Sequence, residues 1–272
     1  MEKYSVLMSL YIKEDPEYLK QAVNSMIFQT VKPDEIVIIK DGPLTDNLER
    51  VLNDFEKQYP GFFNIVSFKE NLGLGTALNI GLEQCKNELV ARMDTDDISK
   101  PDRCEKQLKR FEENTSLDIV GSAIDEFWNN PENIICSRRV PAGHKEIYEF
   151  SKRRSAFNHP TVMYKKSKVL ALGGYSNLRR NQDVELFGRM LFAGCRGENL
   201  TESLLLFRTN INLMKRRKSW ANTISYIGTI FKFYRMGYAG LCDLFTVTVA
   251  QMVIFLIPLR LQGYIYKKFL RK

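Results

Sequence analysis

Histidine, tryptophan and paired cysteines are scarce in this chain of 272 residues. It has two histidines and two tryptophans, and no two of its five cysteines form a Cys-x-x-Cys pair. Such a composition argues against a structural zinc site and against a disulfide framework. A signal-peptide pattern is also missing, since Met1-Glu2-Lys3-Tyr4 leads directly into an apolar run, and we expect the bulk of the protein to be cytoplasmic.

Acidic residues are almost missing from the last quarter of the chain. Residues 208–272 contain twelve Lys and Arg against one acid, Asp243, so this segment carries a net charge of +11 and the rest carries −3. A mildly acidic body with a strongly basic end predicts an anionic surface as partner, either nucleic acid or a membrane.

Short apolar runs alternate with amphipathic segments through the first half. Strands are predicted at residues 5–11, 35–40, 64–68, 88–93 and 117–121, with helices between them. The first helix has a clear start, because Asp15 suits the N-cap and Pro16 the first helical position. This alternation predicts an α/β fold with a doubly wound, mostly parallel sheet.

Ligands of such sheets bind beyond the carboxyl ends of the strands, near the point where the strand order reverses. Asp41 directly follows the second predicted strand, and Asp94 directly follows the fourth. We therefore expect both side chains to line the same crevice.

The run Arg92-Met93-Asp94-Thr95-Asp96-Asp97 places three carboxylates where a buried strand ends. Their burial is costly unless a positive group compensates them. Mg²⁺ and Mn²⁺ suit such a site, since they prefer a few carboxylate oxygens together with ligand phosphates. The alternative is a solvated acidic turn, which is the commoner case for an isolated Asp-x-Asp.

Gly73 and Gly75 do not make a dinucleotide fingerprint, because the third glycine is missing and the pair follows the third strand rather than the first. Two interpretations stay open. Either the glycines form a turn that needs positive φ, or they let the backbone approach a nucleotide.

Several segments together resemble family 2 glycosyltransferases, the inverting nucleotide-sugar enzymes of GT-A fold. They occur in the family's order over about residues 4–210. Within the family, the chain is similar to bacterial enzymes that build O-antigen or exopolysaccharide repeat units. The matching segments are Ser5-Val6-Leu7-Met8-Ser9-Leu10-Tyr11, Lys40-Asp41-Gly42, Asn71-Leu72-Gly73, Ala77-Leu78-Asn79-Ile80-Gly81, Ala91-Arg92-Met93-Asp94-Thr95-Asp96-Asp97 with Pro101-Asp102-Arg103, Asn158-His159-Pro160-Thr161-Val162-Met163 and Gln182-Asp183-Val184-Glu185-Leu186.

The resemblance implies a role for each acid of the crevice. Asp41 would hydrogen-bond the uracil ring, Asp94 would contact the ribose or uridine, and Asp96 would ligate a Mn²⁺ or Mg²⁺ ion that bridges the two phosphates. Asp97 would support the metal site or act as a helix N-terminal charge. Without the family, Asp41 is more readily explained as a turn residue before Gly42.

Four further residues receive roles from the resemblance. Asn71 and Gly73 would bind the donor. Arg103 would face the diphosphate, or else only cap a surface helix. His159 would be a third metal ligand or a diphosphate contact, with a structural histidine as the alternative.

Asp183 is the candidate catalytic base implied by the same resemblance. A sugar hydroxyl is a poor nucleophile at neutral pH, so a carboxylate must accept its proton as the new bond forms. The family has a Glu-Asp pair here, and this chain has Gln182-Asp183. An ordinary acid in the first turn of a helix is the alternative explanation of Asp183.

The predicted organisation is a GT-A domain over residues 1–210, with a nucleotide-binding half at 1–121 and an acceptor-binding half at 122–210, followed by a basic, partly apolar helical tail at 211–272. Residues 244–259 form an uncharged run of sixteen, and a basic run lies at 215–218. A spanning helix needs about 20 apolar residues. We therefore interpret the tail as a helix lying in, or dipping into, the inner leaflet, with a buried globular helix as the alternative.

The predicted function is transfer of a hexose, glucose or galactose, from a UDP-sugar to a lipid-linked (undecaprenyl-diphosphate) sugar at the cytoplasmic face of the bacterial inner membrane, forming a β-linkage. A nucleotidyltransferase would need a basic, glycine-rich loop after the first strand, where Tyr11-Ile12-Lys13-Glu14-Asp15 stands instead. A nucleic-acid-binding module would favour aromatics interleaved with the basic residues, whereas the tail joins its charge to an apolar run. The oligomeric state is left open.

Overall fold

A single mixed sheet organises the part of the chain that the computed structural model describes, residues 2–210 and 219–257. Its strands are β1 Tyr4–Leu10, β2 Glu35–Lys40, β3 Phe63–Ser67, β4 Leu89–Arg92, β5 Ile98–Ser99, β6 Leu117–Phe127, β7 Ile134–Arg138, β8 Met163–Lys165 and β9 Arg196–Arg208. The helices are α1 Pro16–Ile27, α2 Asp46–Gln58, α3 Leu74–Gln84, α4 Arg103–Glu113, α5 His144–Ser151, α6 Lys166–Ala171, α7 Gln182–Phe192, α8 Trp220–Arg235 and α9 Leu241–Leu256, with a 3₁₀ turn at His159–Thr161.

The strand order is β3-β2-β1-β4-β8-β6-β9-β5, and β7 pairs with the end of β6. Strands β1 to β4 are parallel, which confirms the predicted arrangement of the first half. Strand β8 then runs antiparallel to both β4 and β6, while β6 and β9 are parallel to each other. The sheet is therefore parallel from β3 to β4 and mixed beyond β4.

Apolar side chains on both faces of the central strands explain why helices cover both sides. On one face Leu7, Val37 and Ile39 pack with α3 and α7, and on the other Val6 and Ile38 pack with α1, α2 and α4. Continuous burial of this kind is typical of parallel strands covered on both sides.

Local signals placed α1 correctly but misplaced the end of β6. Asp15 Oδ1 accepts the amide of Glu17 at 2.8 Å, so the predicted N-cap is confirmed. The fifth strand predicted from the sequence, at residues 117–121, corresponds to β6. Its predicted end at Gly121 is wrong, because β6 continues to Phe127. Its second half pairs with β7, the next strand of the chain, and with β9, whose residues lie far along the chain.

Helices α8 and α9 form a hairpin, with the rings of Trp220 and Phe255 at 5.1 Å between centroids. One face of α8 packs into the body, since Ile230 and Phe233 are completely buried. Phe233 lies so close to α7 that a Cβ on Gly188 would come within 2.1 Å of its ring. This face of α8 therefore attaches the hairpin to the body.

Helix α9 exposes most of its length, including Leu241, Phe245 and Leu256. Within the described ranges, no helix combines the length and apolarity needed to cross a membrane. The basic run at 215–218 and the end of the apolar run at 258–259 lie outside the described residues. The division into two halves and a tail stays a prediction.

Candidate active site

The crevice lies where the strand order reverses, since β1 is flanked by β2 on one side and by β4 on the other. The loops that leave the carboxyl ends of these strands carry Glu14, Asp41 and the acidic run from Asp94 to Asp97. Ligands of open α/β sheets bind at this position.

Asp41 organises the glycine turn beside the crevice. Its carboxylate accepts the amides of Leu72 at 2.7 Å and Gly73 at 3.1 Å, and the side-chain amide of Asn71 at 2.9 Å. Gly73 has φ +89°, so the turn that needs positive φ is confirmed. The predicted residues Asp41, Asn71 and Gly73 are thus brought together, and their contacts with a donor stay predictions.

Asp94, Asp96 and Asp97 offer carboxylate oxygens that all lie within 4.8 Å of one another. Burial, together with the charges of Asp94 and Glu14, raises the pKa of Asp96 to about 7. Burial and the two neighbouring acids raise the pKa of Asp97 well above its usual range. The cluster therefore carries more negative charge than its protein surroundings compensate.

A divalent ion fits this cluster. Asp97 is completely buried, and its Oδ2 atom has no hydrogen-bond partner, so a carboxylate oxygen is left for a cation. Hard oxygen donors at this spacing suit Mg²⁺ and Mn²⁺. The sequence predicted Asp96 as the ligand, and the structure groups Asp94 and Asp97 with it.

Arg208, the last residue of β9, fixes the acidic loop from behind. Its backbone amide donates to Asp97 Oδ1 at 2.8 Å, and its Nε donates to the Asp96 carbonyl at 2.8 Å. The guanidinium is itself stacked on the rings of Tyr18 and Phe127, at 3.7 and 4.6 Å from their centroids.

Arg92 is the buried cation of the site. Its Nη1 lies 2.5 Å from Asp94 Oδ1, and the residue is 1% exposed. Burial opposes its charge, but Asp94 reverses that effect and raises the pKa of the guanidinium. Arg92 lowers the pKa of Asp96 and of Asp183, so its charge reaches both the acidic cluster and the candidate base.

Asp183 lies in the first turn of α7. Burial raises its pKa, while the Val184 amide and the guanidinium of Arg92 act in the opposite direction. Burial also raises the pKa of the Tyr175 phenol, and Asp183 and Asp94 both add to that shift. Tyr175 is thus within electrostatic range of both acids.

The metal-ligand role of His159 stays a prediction, and the structure gives its ring other partners. His159 is absent from the acidic cluster, which is the one group of potential metal ligands found in the described residues. Its Nε2 lies 3.0 Å from Tyr175 Oη, and its ring packs edge-on against Phe187. Burial, with the nearby charge of Arg92, lowers the pKa of the imidazole well below its usual range, so the ring is neutral. The geometry supports the structural alternative.

The diphosphate contact of Arg103 also stays a prediction, and in the structure this side chain is fully buried. Its Nη2 donates to the Arg92 carbonyl at 2.7 Å, and its Nε donates to Gln107 Oε1 at 3.2 Å. Arg103 therefore supports the end of β4 from the core.

Three residues of the site were not singled out from the sequence: Arg92, Glu14 and Arg208. Glu14 accepts from Thr95 Oγ1 at 2.9 Å, and burial raises its pKa. Arg92 had a visible signal, a cation directly before an acidic run at a strand end. Glu14 and Arg208 had none, because their partners lie 81 and 111 residues away.

The sequence of this chain is similar to those of known glycosyltransferases. The family model described as glycosyl transferase family 2 matches residues 5–171. An Escherichia coli UDP-Gal:alpha-D-GlcNAc-diphosphoundecaprenol beta-1,3-galactosyltransferase is 38% identical over 99% of this chain and 97% of its own. The amylovoran biosynthesis glycosyltransferase AmsE of Erwinia amylovora is 34% identical over 97% and 98%.

Solved structures share the fold at low sequence identity. The mannosyltransferase PcManGT from Pyrobaculum calidifontis, in complex with GDP-Man and Mn²⁺, superposes with a TM-score of 0.67 at 15% identity, over 94% of this chain and 70% of that one. Residues 1–349 of S. aureus TarS in complex with UDP give a TM-score of 0.60 at 16% identity, over 98% and 72%.

Proposed function

The chain belongs to glycosyl transferase family 2, and we propose that it transfers a hexose from a UDP-sugar to a lipid-linked sugar diphosphate with inversion at the anomeric carbon. Galactose is the first candidate sugar, because the E. coli relative is named for UDP-Gal, and glucose is the second. The same name makes an undecaprenyl-diphosphate sugar the first candidate acceptor. The observation that carries the proposal is Arg92, whose charge acts on both the acidic cluster and Asp183.

On the donor side, the chain's own residues would bind and orient the nucleotide. Three protein donors already occupy the Asp41 carboxylate, and a carboxylate has room for about four, so one place is left for the N–H of the uracil ring. Gly73 presents a backbone free of Cβ beside it. Asp94 is paired with Arg92 and would contact the ribose or uridine.

Asp96 would hold a Mn²⁺ or Mg²⁺ ion together with Asp94 and Asp97. When bound, such an ion acts as a Lewis acid that stabilises the negative charge of a departing diphosphate. The protein's part is to fix the acidic loop. Arg208 holds the Asp97 carboxylate through its amide and the Asp96 carbonyl through its Nε, and Arg92 pairs with the Asp94 carboxylate.

Asp183 would accept the proton of the acceptor hydroxyl as that oxygen attacks the face of the sugar opposite the diphosphate. With an α-linked donor, this attack forms a β-linkage. Gln182 stands where the family has an acid. A neutral neighbour adds no repulsion to ionised Asp183, so the base keeps its function without a second carboxylate.

The raised pKa of Asp183 predicts the acid side of the pH–activity profile. A base works only when ionised, so kcat/KM should fall as the pH decreases through a value above the usual aspartate pKa of about 4. The profile should be measured at saturating Mn²⁺, with UDP affinity followed over the same range. A kcat/KM that stays constant down to about pH 4 would contradict this assignment.

We also propose that the protein works at the cytoplasmic face of the inner membrane, with the hairpin of α8 and α9 lying against the lipid surface. Nine of the eighteen large hydrophobic side chains found exposed in the described residues belong to this hairpin, among them Trp220, Phe231, Phe245 and Leu256. A second copy of the chain is a poorer occupant of this face, since each copy brings a segment of charge +11. Anionic lipid complements that charge.

Replacing Phe245 by Ser should weaken binding to vesicles that contain phosphatidylglycerol by about tenfold or more, because burying a phenylalanine contributes roughly 1.5–3 kcal/mol. Flotation of the protein with such vesicles measures the effect. Phe28→Ser is the matched control, as Phe28 is also exposed, 62% against 72% for Phe245, but lies directly after α1, outside the hairpin. Equal losses in the two variants, or none in either, would rule out the hairpin as the lipid-binding surface.

The overall proposal is tested with purified protein, a panel of UDP-Gal, UDP-Glc, UDP-GlcNAc and GDP-Man, and a synthetic lipid-diphosphate GlcNAc acceptor, with and without Mn²⁺. We expect transfer from a UDP-hexose and a β-linkage by NMR. Transfer from none of the four donors would refute the proposal, and an α-linked product would refute inversion.

A further inference from the structure

Asn79 binds the backbone of the loop at residues 172–178 with two hydrogen bonds. Its Nδ2 donates to the Tyr175 carbonyl at 2.8 Å, and the Tyr175 amide donates to its Oδ1 at 2.7 Å. Gly174 is packed against the same side chain, and a Cβ there would lie 2.2 Å from Asn79 Oδ1. This paired contact fixes the loop to α3.

Arg189 of α7 holds the same loop from the opposite side. Its Nη1 donates to the Leu172 carbonyl and its Nη2 to the Gly174 carbonyl, each at 2.6 Å. Its Nε donates to Glu185, one turn before it on α7, at 2.7 Å. The loop is therefore clamped between α3 and the helix that carries Asp183.

Each of the two helices, α3 and α7, begins beside a different part of the candidate site. Helix α3 starts directly after Gly73, whose amide donates to Asp41. Helix α7 has Asp183 in its first turn. The Tyr175 side chain, on the loop between them, lies within electrostatic range of Asp183 and Asp94.

We propose that Asn79 is a positioning residue, which sets the distance of the base helix from the donor by clamping the loop at residues 172–178 between α3 and α7. The inference rests on the proposed function. Asn79 touches neither donor nor base, and it acts through Tyr175, Gly174 and Arg189. An error of about 1 Å between reacting groups can lower the rate about a hundredfold. Two hydrogen bonds that hold the loop in place can therefore have a large effect on catalysis.

Gly75 gives an independent probe of the same distance. It lies in the first turn of α3, and a Cβ there would meet the Ser176 carbonyl oxygen at 2.7 Å. Its backbone has no positive φ, so alanine suits the helix itself and should favour it. The added methyl group must displace the loop, because its neighbour is backbone.

The experiment compares Asn79→Ala and Gly75→Ala with Asn53→Ala, which removes an exposed asparagine from α2. We expect kcat to fall by about a hundredfold in the first two variants and to stay unchanged in the third. Donor KM and the UDP dissociation constant should stay within about twofold in all three. Displacing backbone costs stability, so the melting temperature of Gly75→Ala should fall, and retained UDP affinity below that melting temperature separates misplacement from unfolding.

Two results would overturn the inference: an unchanged kcat in both test variants, or a loss of UDP affinity that matches the loss of kcat. Should Asn79→Ala fail to fold, Gly75→Ala decides alone. The wild-type protein separates this test from that of the proposed function. If the wild type transfers no sugar, the proposed function is refuted. If the wild type is active and the variants are equally active, only the positioning role of Asn79 is refuted.

Discussion

Asp183→Asn should abolish glycosyl transfer while leaving UDP binding nearly unchanged. The amide keeps the size and the hydrogen-bonding shape of the side chain but cannot accept the proton of the attacking hydroxyl. General-base catalysis contributes roughly 10²- to 10⁴-fold, and we expect kcat to fall by at least that factor. Initial rates with the lipid-diphosphate acceptor, and calorimetry with UDP and Mn²⁺, measure the two quantities.

The matched control is Asp54→Asn, since Asp54 is an exposed acid on α2, away from the crevice. It should retain full activity. Full activity in Asp183→Asn would remove Asp183 as the base, whereas a parallel loss of UDP affinity would assign the residue to donor binding.

Asp96→Ala should lose metal-dependent donor binding. Charge stabilisation by a bound cation is worth several kcal/mol, so we expect activity to fall roughly a thousandfold or more. Calorimetric titration with UDP should show Mn²⁺-dependent binding in the wild type and none in the variant. Unaltered metal dependence would dismiss Asp96 as a ligand.

The same substitution, Asp96→Ala, should not lower the thermal stability of the metal-free protein, although it lowers activity. A carboxyl group whose pKa is raised in the folded state destabilises that state when the pH rises above the raised value, because ionisation then favours the unfolded chain. The pKa of Asp96 is about 7. At pH 8 without metal, Asp96→Ala should therefore melt at or above the wild-type temperature, and a lower melting temperature would contradict the repulsion inferred within the cluster.

The parallel half of the fold was predictable because its signals are local. Strand β2 is an uninterrupted apolar run buried on both faces, and α1 begins with a side-chain cap and a proline. The meeting of Asp41 and Asp94 at one edge follows from parallel topology alone. The antiparallel insertion of β8, by contrast, depends on pairing with β4 and β6, which no local pattern encodes.

The candidate site was predictable at the strand ends and less so elsewhere. The family resemblance implies a diphosphate contact for Arg103, and the structure shows its side chain bonded to the Arg92 carbonyl and Gln107 within the core. The resemblance implies a metal role for His159, and the structure places its ring nitrogen beside Tyr175, sixteen residues later. Neither contact was predictable, since a motif fixes where a residue lies on the chain but not what its side chain meets.

Gly188 has a consequence that extends to the acceptor. Because Gly188 lacks a side chain, Phe233 of α8 packs directly against the helix that carries Asp183 and attaches the hairpin to it. If the hairpin rests on lipid as proposed, the height of Asp183 above the bilayer is constant. The enzyme would then select its acceptor by length. It would glycosylate a sugar at one fixed number of residues from the lipid, and it would not act on longer glycans, whose free hydroxyl lies too far from the membrane.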